Sequence, residues 1–95
     1  MFVRVTHYQM KPESVSAMTG ILNDLKEQVM ALPGLQQFIN TINEDGSGCV
    51  ISIVENQEIS DSNASAVAAL WANFQDHLVA PPTAKGYDLL ANWRN

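Results

Sequence analysis

The chain has little charge, and very little of it is positive. Only 16% of its 95 residues are Asp, Glu, Lys or Arg, against ~25% in typical soluble proteins. The five basic residues, Arg4, Lys11, Lys26, Lys85 and Arg94, are scattered, and ten acidic residues bring the formal net charge to -5. A chain without a basic cluster offers no footing for a phosphate backbone, which excludes nucleic acid as an expected partner. With Cys49 as the single cysteine there is no internal disulfide. His7 and His77 are the only histidines, too few to complete the usual four-ligand structural zinc site. No apolar run approaches the ~18 residues of a membrane span. Arg4 and His7 interrupt the apolar N-terminal stretch, and no small-residue cleavage site follows it. Glycine-rich phosphate loops and carboxylate–histidine clusters with metal spacing are missing as well. The expectation is a cytoplasmic protein, away from the membrane, with neither metal nor cofactor.

What the chain does have is apolar residues, 46% of the total, which excludes disorder. The length suits one domain spanning 1–95, because a second core would have nothing to bury. A domain this small has much surface for its volume. With so few charges to cover it, part of that surface is expected to face a partner.

Residues 2–10, Phe-Val-Arg-Val-Thr-His-Tyr-Gln-Met, are rich in β-branched and aromatic types and predict a strand. Pro12 suits the first turn of a helix, where its missing N–H would be unpaired anyway. Val15, Met18, Leu22, Leu25, Val29 and Leu32 then recur at helical spacing, one apolar stripe that Pro33-Gly34 ends. Leu35 to Ile42 predicts a second strand, and Asn43 to Gly48 a turn. Cys49 to Val54 runs back as a third strand. Ser60 or Asp61 is the expected cap of a second helix, with Val67, Leu70, Trp71, Phe74 and Leu78 on one face. Pro81-Pro82 stops it, and Tyr87 to Trp93 is the expected last strand.

The resulting order, βαββαβ, is the ferredoxin-like split arrangement of an α+β domain. Right-handed crossovers put both helices on one face of a four-stranded antiparallel sheet. Strands one and three then lie in the middle. Val50-Ile51-Ser52-Ile53-Val54 carries large apolar side chains on both parities, so both faces of that strand call for cover. Two helices cover one face only, and soluble monomers rarely expose a contiguous apolar patch. A homodimer, sheet face against sheet face, is the expected answer.

The opening strand Val3-Arg4-Val5-Thr6 running into Lys11-Pro12, the helix end Leu32-Pro33-Gly34 followed by Phe38, and a second helix with Trp71, Phe74 and His77 together resemble the antibiotic-biosynthesis-monooxygenase-like domains of the dimeric α+β barrel superfamily. The resemblance covers nearly the whole chain. It implies two back-to-back sheets in a dimer and a ligand pocket between each sheet and its own helices. It also implies activities such as cofactor-free oxygenation of phenolic or anthrone-like polycycles, quinol oxidation or haem degradation. The haem-degrading branch uses a strand Asn with a helix Trp and a helix His. This chain has Trp71 and His77 at closer spacing, and Thr6-His7 where the Asn belongs, so no residue is carried over from that branch.

Chemistry in such a pocket needs a group that exchanges a proton near neutral pH, and histidine is the natural one. His77 borders the buried face of the second helix. It is the candidate catalytic base for a phenol or quinol, or else a capping residue for the last helical carbonyls. His7 shares parity with Val3 and Val5. It points into the pocket if they face the helices, and into the dimer interface if they do not. Trp71 and Phe74 on the helix stripe and Tyr8 on the first strand are candidate pocket-lining aromatics, with core packing the competing account for Trp71. The expected function is a cofactor-independent monooxygenase-like activity on a small aromatic or quinol substrate. The alternatives are a non-catalytic binding module for a small hydrophobic metabolite and a structural homodimer with no ligand.

Overall fold

The computed structural model describes residues 1–95. A four-stranded sheet is built from β1 (Phe2–Gln9), β2 (Leu35–Ile42), β3 (Ser47–Val54) and β4 (Thr83–Asp88). Its order is β2-β3-β1-β4, and every neighbouring pair is antiparallel. The central pair is therefore β1 and β3. One long helix, α1 (Val15–Met30), connects β1 to β2 after a single 3-10 turn at Pro12–Ser14. Two short helices, α2 (Gln57–Ser62) and α3 (Ala64–Ala72), lie between β3 and β4. This is the ferredoxin-like α+β fold in the expected element order. No helix is long and apolar enough to cross a membrane.

Three local features depart from the sequence expectation. The second helix is not continuous: it breaks at Asn63, and a 3-10 turn at Gln75–His77 follows α3. Asn56, not Ser60 or Asp61, caps its start, its Oδ1 accepting the Ile59 N–H at 2.9 Å. At the break, Asn63 turns its amide to the end of α1, where Nδ2 donates to the Pro33 carbonyl at 2.9 Å. The last strand also comes earlier than Tyr87–Trp93. Phe2 pairs with Asp88 at its end, and after one more bond, from the Leu89 N–H to the Met1 carbonyl at 3.1 Å, the chain has no backbone left to pair Leu90 to Trp93. Every residue of β4 is exposed, so it is held by the ladder and not by an apolar side-chain pattern.

Strand parity decides which side chains meet the helices. A bulge between Leu35 and Gln37 shifts β2 by one residue, so Leu35 pairs with Val54 and Phe38 with Ser52, and both residues stay on the helix side. On β1 the helix side holds Phe2, Arg4, Thr6 and Tyr8; on β3 it holds Gly48, Val50, Ser52 and Val54. The core proper is small. Tyr8, Met10, Met18, Leu25, Val29, Val50 and Phe74 form its buried cluster, and Met10 is fully enclosed. No residue of α3 is buried, because a cavity separates that helix from the sheet.

The other sheet face has no helix over it; of its central side chains Ile53 is already buried, while Val3, Val5 and Ile51 are half-buried. Val3 and Val5 on β1 and Ile51 and Ile53 on β3 lie there in register, Val3 opposite Ile53 and Val5 opposite Ile51. Ile39 adjoins Ile51 and Tyr87 adjoins Val3; these two are 38% and 47% exposed. Beyond β4, Leu90 and Trp93 project freely, at 99% and 92% exposure.

Candidate ligand cavity

Between the sheet and the helices is a cavity of about 440 Å³, inside the ~300–1,000 Å³ range of small-molecule sites. Its roof is apolar: α1 contributes Met18, Leu22, Leu25 and Val29, and α3 contributes Ala64, Val67, Ala68 and Trp71. The short alanines leave the space that larger residues would fill. The floor is different. Arg4, Thr6, Tyr8, Asn40 and Ser52 all face the cavity from the sheet, so a polar track crosses an otherwise oily chamber.

The aromatic end of this track is tightly organised. The Tyr8 ring lies 5.5 Å from the Trp71 ring at 57°, and Trp71 meets Phe74 edge-on at 5.9 Å. The Tyr8 hydroxyl is 2.6 Å from the Thr41 carbonyl and 2.7 Å from Asn40 Oδ1. A phenol has one proton. With that proton on the carbonyl, the Asn40 amide is satisfied when turned to donate Nδ2 to the phenol oxygen. Gly48 makes room for the ring, since a Cβ there would stand 2.6 Å from both Tyr8 Cζ and its oxygen.

Burial pushes the Tyr8 hydroxyl above its ordinary pKa, and the Cys49 sulfur adds to the shift. The phenol is therefore a neutral hydrogen-bonding group at physiological pH and not a base. The shift also has a consequence for stability. Tyr8 keeps its proton in the folded state at pH values where an unfolded tyrosine ionises. Its contribution is whole below ~10, the unfolded value, and is lost as pH rises through the higher folded value. Tyr8→Phe is expected to cost ~1–3 kcal/mol near neutral pH by leaving its partners unpaired, and to flatten the alkaline decline. Urea unfolding between pH 8 and 11 checks both. A variant that declines as steeply as the parent excludes Tyr8 as the source.

The other end of the track is electrostatic. Arg4 Nε donates to Ser60 Oγ at 3.1 Å, and Arg4 Nη2 pairs with Asp61 at 3.2 Å. The Phe2 ring lies 5.9 Å from the guanidinium carbon, within reach of a cation–π contact. No lysine, histidine or carboxylate lines the cavity.

The residues singled out in the sequence are distributed as follows. Tyr8, Trp71 and Phe74 border the cavity. His7 does not: it is a correction to the expected lining. Val3, Val5 and His7 face away from the helices because Arg4, Thr6 and Tyr8 take the inner parity, and His7 is exposed beside Cys49 on the outer face. His77 stands in the 3-10 turn after α3, outside the cavity lining. Its Nδ1 is 2.8 Å from Ser14 Oγ, and its carbonyl accepts the Lys11 N–H at 2.8 Å, so it ties this turn to the entry of α1. Sequence reasoning missed Arg4, Thr6, Asn40, Ser52 and Asn63. The signal available for the first two was the alternation of Arg4, Thr6 and Tyr8 along one parity. Asn40 could have been reached from Phe38, two residues earlier on the same face.

No family model matches the chain, and no curated protein matches it. Solved structures do. A protein of unknown function from Nitrosomonas europaea superposes with a TM-score of 0.80 at 19% identity, covering 99% of this chain and 93% of that one. A proposed antibiotic biosynthesis monooxygenase from the same organism gives 0.78 at 15% identity, over 96% of this chain and all of its own. The fold is that of the antibiotic-biosynthesis-monooxygenase-like domains. A further proposed monooxygenase of this kind, from Caulobacter crescentus, gives 0.77 at 16% identity, with 95% and 90% covered. At these identities the likeness establishes the antibiotic-biosynthesis-monooxygenase-like fold of this chain, and no more than the fold.

Proposed function

We propose that the protein is a homodimer that takes a small aromatic or quinol molecule into the cavity and oxygenates it without a cofactor. The observation that carries the ligand reading is the cavity itself, apolar on its roof and walled by Trp71, Tyr8 and Phe74. A core meant only to be filled would close over such a space, since interiors pack to crystal-like density. The names of two structural neighbours add the reaction class. For an anthrone-type substrate the reaction balances with dioxygen alone. One oxygen atom becomes the new carbonyl and the other leaves as water with two substrate hydrogens. The chain's part is to bind the ring system, exclude water from it and hold its polar substituents on the sheet floor.

The dimer part of the proposal rests on the helix-free outer face, where Val3, Val5, Ile39 and Ile51 keep part of their apolar surface exposed. A second copy that packs its own outer face there would bury these side chains and leave the cavities open on either side.

A second reading is favoured by one observation: no titratable base lines the cavity, His77 being held at Ser14 instead. In that reading the protein binds its ligand without transforming it. A thermal-shift panel of quinols, anthrones, haemin, flavin and small lactones, followed by oxygen uptake with each compound that binds, separates the two. A ligand at a hundred times its dissociation constant adds ~2.7 kcal/mol to the folded state. That is a rise of roughly 10–20 °C for a domain of this size. Binding with oxygen consumption supports the oxygenase. Binding of a phenol or quinol without oxygen consumption supports the binding module and removes the oxygenase. A panel with no shift at all counts against both.

A further inference from the structure

We infer that the ligand of this cavity carries an anionic oxygen group, a carboxylate or an acidic phenol, that docks on Arg4 while its ring system reaches toward Trp71. The inference rests on the reading of the cavity as a ligand site and specifies its substrate class. It begins with an oddity of β1. An arginine occupies the parity that faces the helices, where a packed α+β core would hold an apolar residue. Its side chain is half-buried, at 30% exposure, and a charge partly withdrawn from water gains from every further hydrogen-bonding partner.

What the chain supplies is incomplete. A guanidinium has five N–H donors, and the protein uses Nε on Ser60 and Nη2 on Asp61. The Asp61 pairing is a single contact at 3.2 Å, and the Asp61 side chain is 61% exposed. Exposed pairs of this kind hold weakly and are screened by salt. The remaining donors lie on a group that borders the cavity and meet no carboxylate there, because none lines it. Arg4 is the one cation on the cavity wall.

The surroundings orient the group and extend the same recognition. Phe2 packs beside the guanidinium, and Gly86, the cross-strand partner of Arg4, leaves room for the Phe2 ring, which a Cβ at that position would strike. On the other side Arg4 pairs across the strands with Ser52, whose hydroxyl faces the cavity beside it. Arginine N–H groups and a serine O–H are the donors an oxyanion needs. Thr6 follows along β1, and four residues of strand, about 13 Å, separate Arg4 from Tyr8 and its neighbour Trp71. A fused-ring molecule with one acidic end matches that spacing of charge and aromatic wall.

The test compares 2-naphthoate with 2-naphthamide, which differ in charge but hardly in shape, by calorimetric titration of the full chain at pH 7.5. The expected result is that the naphthoate binds at least about tenfold more tightly, equivalent to ~1.4 kcal/mol. Arg4→Met should abolish that preference while leaving the amide within about threefold of its parent affinity, ~0.65 kcal/mol. Circular dichroism and thermal melting establish that the variant folds. Even if it does not, the comparison of the two compounds on the parent chain stands alone. Equal affinities for naphthoate and naphthamide on the parent, or an unchanged preference in a folded Arg4→Met variant, overturn the inference and leave the ligand cavity intact. If neither compound binds while a neutral member of the wider panel does, the anionic specificity falls alone. If nothing binds, the cavity reading falls with it.

Discussion

Gly48→Val is expected to lower stability by ~2–6 kcal/mol and to destroy the aromatic end of the cavity. The first Cβ atom alone would stand 2.6 Å from the Tyr8 ring and its oxygen, and would strike the Thr41 carbonyl. The ring borders the cavity, but moving into that space would break the contacts that hold the ring. Its hydroxyl is held at 2.6 and 2.7 Å by Thr41 and Asn40, and its face is set against Trp71. Overpacking a well-filled site costs ~1–3 kcal/mol, and stranding the phenol's hydrogen-bond partners a further ~1–3 kcal/mol. For a domain of this length the thermal midpoint should fall by ~8–48 °C. A double variant with Tyr8→Ala should lose less than the sum of the two single changes, since the ring that the valine strikes is then gone. Chemical denaturation of the four proteins measures this coupling. A loss under about 1 kcal/mol in Gly48→Val, or strict additivity in the double variant, would mean that the ring is not confined as described.

Ile51→Lys is expected to convert the proposed dimer to a monomer without unfolding the chain. Ile51 sits on the central strand of the sheet and on its outer face, between Val5 and Ile39, so the helices and the cavity do not feel the substitution. In a two-fold interface the lysine would appear twice, and each buried unpaired ammonium costs several kcal/mol. Such a penalty shifts dissociation by a factor of a thousand or more, since each ~1.4 kcal/mol is tenfold. Sedimentation equilibrium at micromolar concentration gives the answer, with circular dichroism as the control for folding. A parent chain that sediments as a monomer would remove the dimer outright. A variant that keeps the dimer mass would place the interface on another surface.

Much of the architecture was legible because it is written in periods. The stripe from Val15 to Leu32 repeats at the helical spacing, and Pro33-Gly34 closes it, Gly34 standing at a φ of 73° that favours glycine. Asn43 to Gly46 turns the hairpin, with Gly46 at a φ of 89°. β4 was misplaced because its pairing with β1 is made by backbone groups, which leave no pattern in the side chains. The Asn63 break was unreadable for a related reason, its amide being satisfied by Pro33, thirty residues away.

The candidate site was less legible. His7 and His77 drew attention as the residues with suitable proton chemistry, yet one faces outward and the other serves the Ser14 contact. Arg4, Thr6 and Ser52 drew none, because polar residues on a strand ordinarily face water. Here the outer parity of the two central strands carries valines and isoleucines, and the inner parity carries the polar floor of a cavity.

By itself the sequence determined the element order, the antiparallel sheet with β1 and β3 at its centre, and an apolar surplus on β3 too large for one face. Those follow from local periodicity and turn chemistry, which act over a few residues. Only the tertiary structure decided which parity of β1 looks inward, that the bulge at Leu35 and Gln37 keeps Phe38 beside Ser52 on the inner face, and that Arg4 and Trp71 share one chamber. Alternation along a strand says that neighbours point to opposite sides, but it does not say which side is which. That choice is made when the helices dock and the sheet takes its register.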